Sequence, residues 1–552
     1  MSGHAAGLRS RIISMKRDFE DITKRTFDLV IVGGGIIGTG IARDAALRGL
    51  KTLLVEKEDF SYGTTSASTR LIHGGLRYLR HFEFGLVRQD MREREVLLKI
   101  APHLVSPLPF LIPIISHMER IVMAAGMRLY DLLSYDKTVP SYRHFSRRRT
   151  MEMEPDMKLD RNLGSYLYYD CQIAFAERLC LENVLCASGR GADTVNHARL
   201  TGITRSGDSG YLVQVEDTLS GKVHQIETRM VVNAAGPWMD QICGMLDTGS
   251  KPMMRRTKGI HLVIPGISNN ALVLFAHSDG RLFFVIPWEG YSLIGTTDTD
   301  YLEDSDTVYA DADDVDYLLT EVKRAFPGVR KEDIFYTFAG LRALAGSAGE
   351  SASNVTRSHR LIDHESVEGI KGFISVVGGK ITGFRAIAEE VVDLVCKKLG
   401  MKIPCTTAQT PLPGAPAVPR QGIEQAAAES DLSVETVTHL HRLYGSRLYQ
   451  ILELAGENER GKQPICPHSQ DIIAQIWHAT LREGALTVSD FLLRRGATGL
   501  MSCQGLDAVE TVAREMGDIL EWSAAERKRQ IDEYSSYAAL GQRFRMGAAE
   551  TE

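Results

Sequence analysis

Two short stretches of this chain carry the residue types that grip phosphate and move protons. Gly33-Gly34-Gly35-Ile36-Ile37-Gly38 puts Gly33, Gly35 and Gly38 at the G-x-G-x-x-G positions. In that spacing the first glycine permits a tight turn, the second lets backbone approach a pyrophosphate, and the third lets a helix pack on a strand. Ile36 and Ile37 then fall where a helix N-terminus offers unpaired N–H groups to phosphate. The second stretch, residues 64–79, is rich in hydroxyls and glycines, among them Thr65, Ser66, Ser68, Gly74 and Gly75, the last followed by Leu76. Hydroxyls bond to a pyrophosphate or a ring edge, and glycines admit close backbone approach. The same run supplies His73, Arg77 and Tyr78.

The elements needed to position these groups follow in order. Residues 27–32, a short apolar run ending at glycine, read as a buried parallel strand, and 39–48 as a helix. A second strand over 51–55 ends in Glu56 and Lys57. Glu56 stands near the spacing, roughly 20 residues, of a carboxylate that binds an adenosine ribose. An ordinary glycine-rich turn leaves that acid unexplained, so the reading is a dinucleotide fold. Later segments decide between nicotinamide and flavin. Residues 231–238 form a strand that ends at Ala235, Gly236 and Trp238, where backbone can pass close to an extended cofactor. Residues 373–380 form another strand, entering a helix from about Thr382 to Lys398. Gly379, Lys380, Ile381 and Thr382 at that junction suit the N1/O2 edge of an isoalloxazine, where negative charge gathers on reduction. A chain that keeps returning to the nucleotide fold fits FAD better than NAD.

The run 64–79 closely resembles the signature of the FAD-dependent glycerol-3-phosphate dehydrogenases. The fingerprint at 29–56, Gly236-Pro237-Trp238, Lys258-Gly259-Ile260-His261, Ile294-Gly295-Thr296-Thr297-Asp298 and Val377-Gly378-Gly379-Lys380 fall in the family's order. The resemblance covers roughly 27–400, with a looser match in the tail. It implies an α/β fold in which a Rossmann-type FAD-binding domain, like those of glutathione reductase and D-amino-acid oxidase, carries an antiparallel-sheet substrate domain and an α-helical C-terminal cap. On that basis the FAD-binding segments run about 27–100, 170–245 and 345–400, with substrate segments about 101–169 and 246–344 between them. It also implies a quinone acceptor, ubiquinone or menaquinone, with oxygen used by some members. Its substrate-pocket positions match Arg77, Tyr78, His261, Arg342, Arg357 and Lys380. Arg342 and Arg357 suit the phosphate, because a guanidinium fork bonds two oxygens at once. His261 is the first candidate for general base and His73 the second, with Arg342 near the reacting hydroxyl too. The chain departs from the family at Ala343, where proline is usual, at Gly383, where threonine is usual, and at Arg70, where lysine is common. Losing a ring and a hydroxyl is expected to loosen the pocket, which keeps a longer substrate such as erythritol phosphate open. An oxygen-using glycerol-3-phosphate oxidase and a flavin-binding sensor without turnover stay open beside it.

A chain of 552 residues with 44% hydrophobic and 24% charged residues implies two or three globular domains. A net charge of −6 gives no reason to expect nucleic acid as a partner. Eight scattered cysteines without a Cys-x-x-Cys pair suit a reducing compartment. Cys466 and His468 are at most half a metal site, and no metal is expected from them alone. No segment is long enough to span a bilayer, since the most apolar early stretch, 107–115, holds three prolines. Residues 1–26 read as a solvated leading extension, with Asp18, Glu20 and Asp21 arguing against a transit peptide. Residues 118–136 read as an amphipathic helix followed by basic Lys137, Arg143 and Arg147-Arg148-Arg149. That combination suits the anionic inner face of the cytoplasmic membrane. The Pro-rich stretch 406–420 reads as a linker to an α-helical domain over 421–552, a cap that also offers a surface for a homodimer.

Overall fold

The strand Thr26–Val32 is the centre of the first layer. In the computed structural model, which describes residues 15, 17–75, 78–79, 82–159, 161–207, 210–246, 253–345 and 359–546, it lies parallel to Thr52–Val55 on one side and Lys222–Asn233 on the other. Asp193–Val195 and Phe373–Val377 extend the parallel core outward. Leu29, Val30, Ile31 and Val32 are all buried and leave no polar face, as expected of a sheet covered on both sides, here by helices on one face and largely by antiparallel strands on the other. The covering helices are Ile36–Leu47, Ala176–Ser188 and Phe384–Lys398, which bury Ile41, Ala45, Val184, Val391 and Val395 against the sheet. An antiparallel pair, Ala198–Ser206 and Gly210–Asp217, hangs from the long strand 222–233.

The second layer is a ten-stranded sheet built around Met254–Pro265. That strand pairs with Tyr336–Ala345 and with Tyr291–Gly295, and the helix Ala312–Lys323 covers one face. The sheet is not wholly antiparallel: Ala271–Phe275 runs parallel to Val105–Pro113. Leu71–Ile72 and Ser165–Ile173 also join it, so the loop that follows the nucleotide strands crosses directly into the substrate sheet. This crossing places the two layers on either side of one cleft.

Helices Arg420–Ser430, Val434–Tyr444, Leu448–Glu457, Ile473–Arg482, Val509–Leu520 and Ala524–Leu540 form the C-terminal domain around Leu440, Ile451, Ile476, Phe491 and Met516. Buried ion pairs seat it on the nucleotide domain. Arg178 forks onto Glu483 at 2.7 and 3.0 Å, and Arg495 onto Asp59 at 2.6 and 2.9 Å. The Pro-rich stretch is no free tether, because Leu412 is buried and its N–H donates to the Ile100 carbonyl at 2.9 Å. Nor is the described part of the leading segment fully solvated. In the short helix Phe19–Ile22 both terminal residues are buried, because the segment closes the end of the first sheet.

His103 lies in the seam between these domains, with both ring nitrogens enclosed and without a hydrogen-bond partner among the described residues. Burial, aided by the positive charge of Arg178, pushes it down to about 3. Between that value and the ordinary one near 6.5, the unfolded chain takes up a proton that the folded chain refuses. The contribution of His103 to stability is therefore intact above about pH 6.5 and is lost as pH falls towards 4. We expect His103→Gln to gain stability relative to the parent on acidification, by at most about 1.4 kcal/mol per pH unit. Denaturant titrations at several pH values check this, and a pH-independent difference would refute it.

Candidate active site

The carboxyl ends of the parallel strands open on an elongated cavity of about 500 Å³. Its first end is the glycine turn. Gly33 has φ +109°, and a Cβ there would stand 2.6 Å from the Ala234 carbonyl oxygen. A Cβ on Gly38 would meet the Gly33 carbonyl oxygen at 1.9 Å, so the third glycine lets the helix start against the turn and does not line the cavity. Gly33, Gly35, Ile36 and Ile37 all do. Glu56 accepts from Gly34 N–H at 2.6 Å and from Glu58 N–H at 3.0 Å. Burial pushes its carboxyl up while these two donors pull it down and fix both oxygens at the edge of the cavity. Thr65 Oγ1 accepts from Ile36 N–H at 3.0 Å, and Ser68, Ala235 and Gly236 complete this wall. Lys57 lies 4.3 Å over the Trp238 ring and pairs with Asp306 at 2.5 Å.

The far end is made by His73, Tyr78, Gly379, Lys380, Ile381 and Thr382. Thr382 ties the two chain segments together, its hydroxyl accepting from His73 N–H at 3.1 Å and donating to the His73 carbonyl at 3.3 Å. Lys380 lies 3.9 Å over the Tyr78 ring and pairs with Asp90. Burial pushes the Asp90 carboxyl up to about 6 against the pull of Lys380. Asp90 was not legible in the sequence, since it sits in a helix, Phe84–Ile100, crowded with charges that look solvated.

Beside this end is a smaller chamber of about 160 Å³, bounded by Ser68, Thr69, His73, Gly259, His261 and Arg342 among others. His73, Ser68 and Arg342 also line the larger cavity, so the two spaces share a wall. Sheet register creates the pairing of imidazole and guanidinium. His261 lies opposite Gly295 and Phe338, and Thr257 opposite Arg342. A Cβ on Gly295 would stand 2.4 Å from the His261 ring, and one on Gly259 only 2.2 Å from the Arg342 guanidinium. The two glycines make room for the two side chains. Arg342 donates to the Thr296 hydroxyl at 2.9 Å, the Thr297 carbonyl at 3.1 Å and Asp298 at 3.1 Å. The motif 294–298 thus holds the arginine, a role its residue types alone did not reveal. His261 stacks on Phe338 at 4.8 Å, and its Nε2 is 3.0 Å from Thr69 Oγ1. Its Nδ1 is buried and has no hydrogen-bond partner among the described residues. Burial, then the charges of Arg342 and Arg70, push it down to about 3, so the ring is neutral at pH 7.

Several expected contacts fall elsewhere. Ser66 donates to the carbonyls of Tyr62 and Gly63 and faces a neighbouring pocket. Gly74 and Gly75 do not line the cavity; they make room for Tyr130 and for the Tyr78 ring. Arg70 is structural, forking onto buried Glu177 at 2.8 and 2.9 Å. Among the described residues neither Ala343 nor Gly383 bounds the small chamber; Gly383 faces Asp90 at 3.4 Å. The expected loosening at these positions is therefore not at the chamber wall. Leu76, Arg77 and Arg357 lie outside the described residues.

A Rossmann-type sheet whose elongated dinucleotide cavity abuts a small cationic chamber with a neutral imidazole defines a flavin-dependent oxidoreductase. The family of FAD-dependent oxidoreductases matches residues 28–393, and the C-terminal domain of alpha-glycerophosphate oxidase matches 405–527. A glycerol-3-phosphate dehydrogenase of Synechocystis sp. is 41% identical over 94% of this chain and 98% of its own length. Glycerol-3-phosphate dehydrogenase 2 of Mycobacterium tuberculosis is 34% identical over 96% and 90%. The glycerol-3-phosphate dehydrogenase of Bacillus halodurans, solved with FAD, superposes with a TM-score of 0.80 at 29% identity, covering 96% and 98% of the two chains. This chain belongs to the glycerol-3-phosphate dehydrogenases of the FAD-dependent oxidoreductase family, and FAD is its cofactor.

Proposed function

We propose that this enzyme oxidises sn-glycerol 3-phosphate to dihydroxyacetone phosphate and passes the electrons to membrane quinone. The carrying observation is the shared wall between the cofactor cavity and a chamber bearing both His261 and Arg342. Bound FAD supplies the hydride acceptor, at N5. The neutral His261 ring takes the proton of the C2 hydroxyl as the C2 hydrogen leaves, through Nδ1, which has no partner among the described residues. An imidazole held near 3 is a weak base, but an arriving phosphate dianion offsets the cationic neighbours that depress it. Arg342, pinned by Thr296 and Asp298, orients the anionic substrate, and Arg77 and Arg357 are assigned to the same phosphate. The chamber, about 160 Å³, is well below the roughly 300–1,000 Å³ of drug-sized pockets, which favours a three-carbon substrate. The test is anaerobic mixing of holoenzyme with polyol phosphates. Bleaching by glycerol 3-phosphate well ahead of erythritol phosphate supports the reading; bleaching by the four-carbon compound alone rejects it.

Quinone use rests on a surface. No described helix is long and apolar enough to cross a membrane. Yet the helix His117–Leu133 leaves Met118, Ile121, Val122 and Leu132 exposed, with Arg120 and Arg128 beside them. An apolar ridge flanked by arginines fits the interface of an anionic bilayer, where quinone is dissolved. Ile121→Glu with Val122→Glu is expected to abolish sedimentation with anionic vesicles and to slow turnover with vesicle-borne quinone. Flavin bleaching by substrate should stay unchanged. Undiminished vesicle binding would remove this surface from the account.

A further inference from the structure

The C-terminal domain carries a second group of chemically capable side chains, away from the flavin cavity. Cys466 and His468 lie on the turn before the helix Ile473–Arg482, and Cys503 and Asp507 on the turn before Val509–Leu520. Folding brings the two turns together. Ligand-capable atoms of His468, Cys503 and Asp507 all lie within 4.8 Å of one another, and His468 Nε2 is 3.2 Å from Asp507 Oδ2. The buried Cys466 thiol neighbours Cys503, which sets a second sulfur beside the group.

We propose that His468, Cys503 and Asp507 bind one Zn²⁺ ion, with the neighbouring Cys466 sulfur turning in as the fourth donor. Two sulfurs, an imidazole and a carboxylate make a tetrahedral set of the kind zinc takes, and two thiolates disfavour magnesium and calcium. Four protein donors close the shell, so the ion is structural. His468 and Asp507 are about half exposed, at 45% and 51%, which gives the ion an entry path. The turn it clamps touches the substrate sheet: the Leu500 carbonyl accepts from the Tyr336 hydroxyl at 2.6 Å, and Ser502 N–H donates to Tyr291 Oη at 3.1 Å. The ion would therefore brace the seat of the helical domain against the sheet that holds His261.

The test uses the full-length holoenzyme purified without chelator under reducing conditions. Elemental analysis is expected to find close to one zinc per chain, and Cys503→Ser to lose it. Asp507→Asn changes an exposed ligand and leaves the core of the domain intact. It should weaken Zn²⁺ binding by more than the roughly 10–100-fold that loss of an outer-shell partner costs. FAD content and flavin bleaching should persist in that variant. Chelation should lower the thermal midpoint of the parent and not of Cys503→Ser. Zinc content in the parent no higher than in Cys503→Ser, after dialysis against Zn²⁺, would overturn the proposal. So would peptide mapping that finds Cys466 and Cys503 joined as a disulfide in the reduced protein.

Discussion

His261→Asn slows reduction of the bound flavin by roughly 10²–10⁴-fold, the range that a positioned general base contributes. Asparagine keeps a polar group of similar reach beside Thr69 and Phe338 but cannot take up a proton at neutral pH. The loss should appear in the limiting rate of anaerobic bleaching, with the substrate concentration at half-maximal rate little changed, because the phosphate is gripped elsewhere. FAD content should be unaffected, since His261 bounds the small chamber and not the larger cavity. His73→Asn is the internal control. It sits on the shared wall, and its backbone is already engaged by Thr382. A near-normal bleaching rate in His261→Asn, with a large loss in His73→Asn, would transfer the base to His73.

Arg342→Met lowers kcat/KM by about 2–5 kcal/mol, equivalent to roughly 30- to 5,000-fold, the penalty for truncating one partner of a desolvated charge pair. Two losses combine in this variant. The substrate phosphate loses a fork of donors, and Asp298, whose side chain is only 13% exposed, loses its partner at 3.1 Å. Asp298→Asn separates them, because it keeps the guanidinium and removes only the carboxylate. Arg342→Lys should recover little of the activity. A single ammonium cannot donate to Thr296, Thr297, Asp298 and a phosphate together in the planar arrangement that Arg342 holds. Unlike His261→Asn, this variant should raise the half-saturating concentration as well as slow bleaching. Unchanged kcat/KM in Arg342→Met would remove the residue from substrate recognition.

The order strand, glycine turn, helix, strand, acid determined by itself that residues 27–56 hold a dinucleotide, because each step of that order is a local demand. Gly33 must take positive φ, Gly38 must admit the turn carbonyl, and Glu56 must end a strand. Local demands are written in neighbouring residues, so they can be read there. The family motifs likewise marked His261, Arg342 and Lys380 as residues that matter. What they do was decided in three dimensions. Only sheet register sets Gly259 and Gly295 against the guanidinium and the imidazole, and only the crossing of Leu71–Ile72 into the second sheet brings Thr69 to His261. Burial is also a tertiary property. It makes His261 neutral, makes Arg70 a buried partner of Glu177, and sets Asp90 behind Lys380. Ser66, Gly74 and Gly75 show the converse, since residue types suited to a cofactor are equally suited to a tight turn. Cys466 and His468 were at most half a metal site in the sequence, and His468 joined a three-residue group only when folding carried Cys503 and Asp507 to it. A chain records which residue follows which; the distances across a cleft, and the water excluded from it, exist only once the layers have closed.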